Sequence, residues 1–521
     1  MNRLQPAGRV LRWLAPFVGR RRFLWTAASS SHESLDTAAL QCAERIRRSI
    51  ASAKESPPPP TSLRSKEEAR DSCFVLISQS YPAAEIDRLT STLCEHLAGS
   101  AGSSGVCFSG AVVDQVVVAG KTSGDPCLGN GLTVLYHRPS NTLDDPQLRS
   151  YPFYIGDQHG RQRLREVAVG RWHNKVTDRF RQQSDSSATT RWVAGVSGVT
   201  QAMSHMVLPP ELSAPAVSPT LVDLVLFAAD RDSRQALDLL DAQFPQATKI
   251  GIVGSRTPFL NGREYTLLAG NSSNSPCVHD SGMVGLAFAR TKEEYTACRT
   301  PKRGPEVLHS SLVPISDALR IVRCKGNVVL ELESGDAAHS LIASVRRQRM
   351  GFPAKAGEKD ARLFAKITAP SCVSDGAATQ ARESAAAAAV FEVTGGDPAK
   401  GGLALDTLRD LSPGQFVQFM VRDGNDSRRV LDISDAADPS SALLVMFGAA
   451  DFYGDAARSR ELQLGNASAA VFGGVTEGGF VYGGPSLPSA ATASRGHGNS
   501  SVLSGSAECP VPGSVAILGL E

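Results

Sequence analysis

Two absences narrow the reading before any motif is sought. No uninterrupted apolar run approaches the ~20 residues that a membrane-spanning helix needs, and neither sign of charge dominates, with 54 Lys plus Arg against 52 Asp plus Glu. The first argues against helical membrane spans. The second removes any whole-chain attraction to nucleic acid or a membrane surface. Aromatic residues are scarce, at 6% of 521 residues, while Gly (47) and Pro (30) are plentiful. That balance predicts a turn-rich mixed fold whose core is built from Val, Leu and Ala. None of the ten cysteines sits in a CxxC pair, which argues against a ribbon-type zinc site and against a disulfide framework. Neither a metal site nor a cofactor is expected.

The N-terminus lacks one sign of charge locally. From Met1 to His32 there are six arginines, no lysine and no acidic residue. Leu4, Val10, Leu11, Leu14, Phe17 and Val18 recur among them at helical spacings. A basic amphipathic helix of this kind is the make-up of a mitochondrial presequence, assigned to residues 1–35, and it places the protein in the matrix. Arg21 to Thr26 resembles a processing site. The alternative is a disordered basic tail. Residues 36–70 are expected to link this segment to the folded part, with a short helix from Ala38 to Lys54 and a proline spacer at Pro57 to Pro60.

What the chain does have, from Ser72 onward, is a recurring order of elements. The first occurrence runs from "CFVLIS" (Cys73 to Ser78) through a helix over Ala83 to Leu97 to "GVCFSGAVVDQVVVAG" (Gly105 to Gly120) and "GLTVLYH". The second has "LVDLVLFAAD", a helix over Ser233 to Phe244, "ATKIGIVGS", "REYTLLAG" and "GMVGLAFA". The third has "ALLVMFGAAD", a helical stretch around Ala456 to Leu464, "NASAAVFGGV" and "GSVAILGL". Apolar runs of four to eight residues separated by amphipathic helices predict an α/β, mixed α+β class. The expected architecture is two layered halves, 71–300 with an insertion at 138–218, and 305–521.

Candidate nucleotide motifs fail on spacing. Gly120-Lys121-Thr122 follows a strand, but Gln115 stands where a P-loop needs its first glycine. "GNGLTV" lacks the third glycine of a dinucleotide fingerprint. No GxSxG, HExxH or EF-hand pattern occurs, so a hydrolase is not supported. Cys127, Cys277 and Cys509 each precede the last strand of a unit. They allow a thiol-dependent enzyme if the units bring them together, and small apolar fillers if not. Residues 151–182 interleave arginines with Phe153, Tyr154 and Trp172, an alternative phosphate- or RNA-binding patch.

The order of "VDLVLFAADRDSRQALDLLDAQFPQATKIGIVGS" and a following strand pair resembles the N-terminal domain of FIST proteins. "VRCKGNVVLELESGDAAHSLI", "SALLVMFGAADFYG" and "AAVFGGVTEGGFVYGGPSLP" resemble motifs of the FIST C-terminal domain. The resemblance implies a sensory, non-enzymatic module for a small amino-acid-like metabolite or a protein partner. The chain departs from the family pattern at Phe447 to Asp451, where a Cys-x-Gly-Arg stretch is usual, and at Tyr482 to Pro485, where an acidic residue is usual. Both departures imply a changed or lost ligand. Glycine turns at strand ends let a ligand approach the backbone, so the expected ligand-binding residues are Gly254, Ser255, Gly473, Gly474, Thr476 and Asp423. No catalytic residue is expected.

Overall fold

The computed structural model describes residues 24–53, 70–98, 106–119, 126–139, 148–156, 208–213, 221–231, 234–271, 277–290, 306–309, 312–351, 363–368, 389–397, 399–407, 411–422, 431–432, 443–449, 464–465, 470–483, 506–509, 511 and 514–520. Strand outweighs helix, and the class is α/β mixed.

Three units repeat one plan. The first comprises β1 (Leu24–Ser30), α1 (Leu35–Ala53), β2 (Asp71–Ser78), α2 (Ala83–Ala98), β3 (Val106–Val113), β4 (Gln115–Ala119), β5 (Pro126–Gly129) and β6 (Leu132–Arg138). The second comprises β7 (Arg149–Ile155), α3 (Pro210–Ser213), β8 (Val222–Ala229), α4 (Arg234–Gln243), β9 (Thr248–Val253), α5 (Pro258–Asn261), β10 (Leu267–Asn271), β11 (Cys277–His279) and β12 (Met283–Ala289). The third opens with β13 (Glu306–His309). It is then interrupted by β14 (Leu312–Pro314), β15 (Leu319–Lys325), β16 (Val328–Leu332), β17 (Gly335–Asp336), α6 (Ala337–Gly351), β18 (Leu363–Thr368), β19 (Ala389–Asp397), β20 (Gly402–Leu405) and β21 (Phe416–Arg422). After the short β22 (Leu431–Asp432) it resumes with β23 (Leu443–Ala449), β24 (Leu464–Gly465), β25 (Ala470–Thr476), β26 (Phe480–Gly483), β27 (Ala507–Cys509) and β28 (Ser514–Leu520).

The sheets share strands cyclically. Their orders are β1-β6-β2-β3-β10-β11, β7-β12-β8-β9-β26-β27 and β13-β28-β23-β25-β4-β5. Each has one parallel pair at its centre, β2/β3, β8/β9 or β23/β25, flanked by the unit's own antiparallel return strand. On the other flank lies a hairpin donated by a different unit. The first unit gives β4/β5 to the third sheet, the third gives β26/β27 to the second, and the second gives β10/β11 to the first. A division into halves at residues 300 to 305 therefore separates strands that are hydrogen-bonded in one sheet. The expected two halves are three interlocked units with an insertion.

That insertion closes on itself. Strands β21, β15, β16, β20, β19 and β18 pair in a ring, all antiparallel, and β14 extends the same edge of β21. Among the described residues, closure gives every strand of the ring a partner on both sides. Ala337, Ala338 and Leu341 of α6 are buried against it.

The long apolar runs form strands because both faces of each sheet are covered. Alternate residues of the three sheets, such as Phe74, Leu226 and Phe447, meet in one shared core with the ring. The outer face of the first sheet is covered by α1 and α2. Leu35, Ala38, Ala39, Cys42, Ile46 and Ile50 of α1 recur at spacings of three and four on its buried side. Ile86, Leu89, Leu93 and Leu97 do the same on α2. The segment expected to be presequence and linker thus contributes a strand and a helix to the fold. The Trp25 ring of β1 packs, tilted, with its centroid 4.5 Å from that of His137 and 5.0 Å from that of Phe288 of the second sheet. The helical expectation around Ala456 lies outside the described residues, apart from Leu464, which is in β24. Among the described residues no helix is long and apolar enough to cross a membrane.

Equivalent glycines mark the parallel pairs. Gly110 faces Val75, Gly251 faces Phe227 and Gly473 faces Met446 in register. A Cβ added at Gly473 would lie 1.9 Å from the Met446 carbonyl oxygen, and one at Gly110 would lie 2.0 Å from that of Val75. Neither backbone can yield without breaking the sheet. At Gly254 the same addition meets Leu267 at 3.4 Å, an ordinary contact. Gly473→Ala is expected to cost about 3 kcal/mol or more through overpacking, and Gly254→Ala less than about 1 kcal/mol. Urea unfolding of the two variants checks this, and equal losses would refute the packing role.

Candidate functional site at the junction of the three sheets

Four residues past the glycines at 110, 251 and 473, the chain reaches Asp114, Ser255 and Glu477. Here β3, β9 and β25 end, and the carboxyl ends of the parallel pairs converge. Carboxyl ends of parallel strands are where open α/β sheets place ligands, because the chains diverge there and leave backbone groups unpaired.

A hydrogen-bonded cluster joins the three ends. The Ser255 hydroxyl donates to Asp114 Oδ1 at 2.6 Å, and the Glu477 backbone N–H donates to Asp114 Oδ2 at 2.7 Å. Thr476 Oγ1 lies 3.4 Å from Ser255 Oγ and accepts from the Gly478 N–H at 3.2 Å. Backbone bonds lock the crossing: Ser255 N–H donates to the Val112 carbonyl, and Asp114 N–H to that of Val475. On the other side the Ser78 hydroxyl donates to the Asp114 carbonyl oxygen at 3.0 Å. Asp114 is 8% exposed, Ser255 4% and Thr476 0%. Arg256 and Glu477 stand exposed at the rim, with Arg256 paired to Glu264 at 2.8 Å.

Burial raises the Asp114 carboxyl above the usual carboxylate range. The Ser255 and Glu477 hydrogen bonds pull it partly back, and the Glu477 charge pushes it up again. A buried carboxylate among hydroxyls can hold an ammonium group or exchange a proton with a bound molecule.

Of the six expected binding residues, Ser255 and Thr476 meet at this junction, with Gly254 beside them. Gly473 and Gly474 have another role. Gly473 is pressed against the Met446 backbone, and a Cβ on Gly474 would lie 2.9 Å from the Gln115 carbonyl oxygen, so both allow close strand contact. Asp423 lies outside the described residues. Asp114 was not among the six. Its signal is that it is the sole charge in the apolar run from Val106 to Ala119.

The three repeated cysteines occupy the donated hairpins and so end up in different sheets. Cys127 pairs with Val118 in the third, Cys277 with Ala269 in the first and Cys509 with Phe480 in the second. Cys277 is exposed, and Cys509 is buried, its thiol pushed up to about 11 by burial. Among the described residues no group of three or more His, Cys, Asp or Glu could hold a metal. Of the basic insertion 151–182, only residues 151–156 are described. Tyr154 there stacks 3.6 Å from His279.

A raised carboxyl pKa means that the folded state holds its proton more tightly than the unfolded chain. Asp114 therefore contributes stability below the ordinary carboxylate range and loses it as the pH rises through its folded pKa. Asp114→Asn retains an acceptor for the Glu477 N–H. The stability difference, wild type minus variant, is expected to fall as the pH rises from about 4 towards neutrality, as read by denaturant unfolding at each pH. A flat difference would show that Asp114 titrates normally. Asp114→Ala, which strands the Ser255 hydroxyl and the Glu477 N–H, is expected to cost about 1–3 kcal/mol. No protein-family model matches the chain, and no curated protein matches its sequence.

Proposed function

We propose that this protein is a non-enzymatic ligand-binding module of the FIST type. It takes a small amino-acid-like metabolite, or a segment of a protein partner, at the junction of its three sheets. One observation carries the reading: the carboxyl ends of three parallel strand pairs converge on a hydroxyl-flanked, buried carboxylate. The Asp114 carboxylate is the natural counter-charge for an ammonium group, and the Ser255 and Thr476 hydroxyls can orient polar groups beside it. The resemblance of "VFGGVTEGGFVYGG" to a FIST C-terminal motif supports the same location, since that stretch contains Thr476 and Glu477.

Thermal-shift screening of the folded chain against amino acids, simple amines and organic acids tests this. An ammonium-bearing compound is expected to raise the melting temperature by several degrees at saturation, following mass action. The shift is expected to be lost in Asp114→Asn, which retains the Glu477 contact and removes the charge. Failure of every ammonium compound to stabilise the wild type would overturn the reading.

The proposed location is the mitochondrial matrix, supported by the acid-free, arginine-rich first 32 residues. Because β1 pairs with β6 from Leu24 to Ser30, processing is expected upstream of Leu24, beside Arg20 to Arg22. Mass spectrometry of the mature N-terminus checks it. A mature chain starting beyond Ser30 would lack an edge strand of the first sheet and would contradict the assignment.

A further inference from the structure

Apart from the junction, a cleft of about 250 Å³ opens where β1 turns into α1, lined by Ser29, Ser30, Ser31, His32, Gln41, Arg45 and Ala119. Beside it the backbones of β1 and β6 approach closely, since a Cβ on Gly131 would lie 2.3 Å from the Ser30 carbonyl oxygen. The hydrogen bonds around it fix which way each polar group presents itself. Ser30 Oγ donates to Gln41 Oε1 at 2.7 Å, which leaves the Gln41 amide N–H₂ as a donor without a part in that bond. The Ser34 N–H donates to His32 Nδ1 at 3.1 Å, so the neutral ring carries its proton on Nε2. Arg45 donates one guanidinium N–H to the Ser29 carbonyl, which holds the fork in place with further N–H groups available. Arg45 has no carboxylate partner among the described residues. The adjacent Glu44 is paired with Arg48 at 3.3 Å.

The cleft therefore presents a guanidinium, an imidazole N–H, an amide N–H₂ and serine hydroxyls, and none of its lining residues is acidic. Such a wall is satisfied by an acceptor with several oxygens and a negative charge. We infer that this cleft binds the oxyanion group, phosphate or carboxylate, of a small metabolite, with Arg45 as the principal contact. The volume is below the ~300–1,000 Å³ of sites for drug-sized ligands, so the body attached to the anion is small. This inference does not depend on the junction, whose charge is of the opposite sign.

Calorimetric titration of the full chain with inorganic phosphate and, separately, with succinate tests it, at constant ionic strength with sodium chloride as the control. At least one of the two is expected to bind saturably, and which one does distinguishes the phosphate from the carboxylate source. Arg45→Gln is expected to weaken that binding at least tenfold. Ser31→Asp, which puts a negative charge on the exposed lip, is expected to abolish it. Arg47→Gln is expected to leave it unchanged, because Arg47 caps the His96 carbonyl outside the cleft. Melting temperatures of the ligand-free variants establish that each is folded. No saturable heat with either anion, an equal response to chloride, or undiminished binding in folded Arg45→Gln would each overturn the inference.

Discussion

Each of the three six-stranded sheets depends on a hairpin supplied by another unit. The second strand of each parallel pair would otherwise be an edge, with a row of unpaired N–H and C=O groups in the interior. Strand β10 covers β3, β26 covers β9 and β4 covers β25, so no unit completes its own sheet. The exchange is possible because the chain leaves each parallel pair at the same point. Between β3 and β4 a single residue, Asp114, carries it from one sheet to another. The three crossings must then lie close together, and the polar groups there must satisfy one another. The bonds among Asp114, Ser255, Thr476 and the Glu477 backbone are therefore a structural necessity before they are a functional opportunity.

The same constraint explains the glycines. A strand that must sit tightly against its parallel neighbour, and then turn sharply into the next sheet, has little room for side chains at the closest backbone approach. Gly110 and Gly473 meet the neighbouring carbonyl, while Gly251 lies under the Phe227 ring, where an added Cβ would come within 2.3 Å. Six glycines lie between Val471 and Ser486. Two of them, Gly473 and Gly474, serve strand contact, and of the residues between the glycine pairs the Thr476 side chain and the Glu477 backbone reach the junction.

The repeat was legible in the sequence because each strand and helix is locally patterned. "CFVLIS", "VDLVLFAA" and "LLVMFGA" are apolar runs of strand length, and Ile86, Leu89, Leu93 and Leu97 mark a helical face. The exchange was not legible, because a donated hairpin has the same alternation as one that folds back on its own unit. Pairing partners are set by packing across more than a hundred residues, as between Val116 and Gly474. The closure of the six-stranded ring is not legible for the same reason. Strand β1 was missed because Leu24 to Ser30 follows an arginine-rich arm and contains no charged residue of its own. Both local signals fit a targeting segment, and only the pairing with β6 separates them. The Arg45 cleft draws six of its seven lining residues from the segments that read as presequence and linker, Ser29 to His32 from the first and Gln41 and Arg45 from the second.

Threefold repetition also bears on where divergence is tolerated. Positions that pack the interior have stayed apolar in all three units: Val112, Val253 and Val475 occupy the same place in register and are all buried. Two residues further on, the equivalent positions carry Asp114, Ser255 and Glu477, three different polar groups at one meeting point. A structure held only by symmetry would keep them alike or apolar, since a buried carboxylate costs free energy unless it is fully hydrogen-bonded. Here both Asp114 oxygens are satisfied, one by a side chain of the second unit and one by the backbone of the third. The carboxylate can be kept buried only while all three units are docked, so any molecule that competes for its hydrogen bonds acts on the packing of the whole protein.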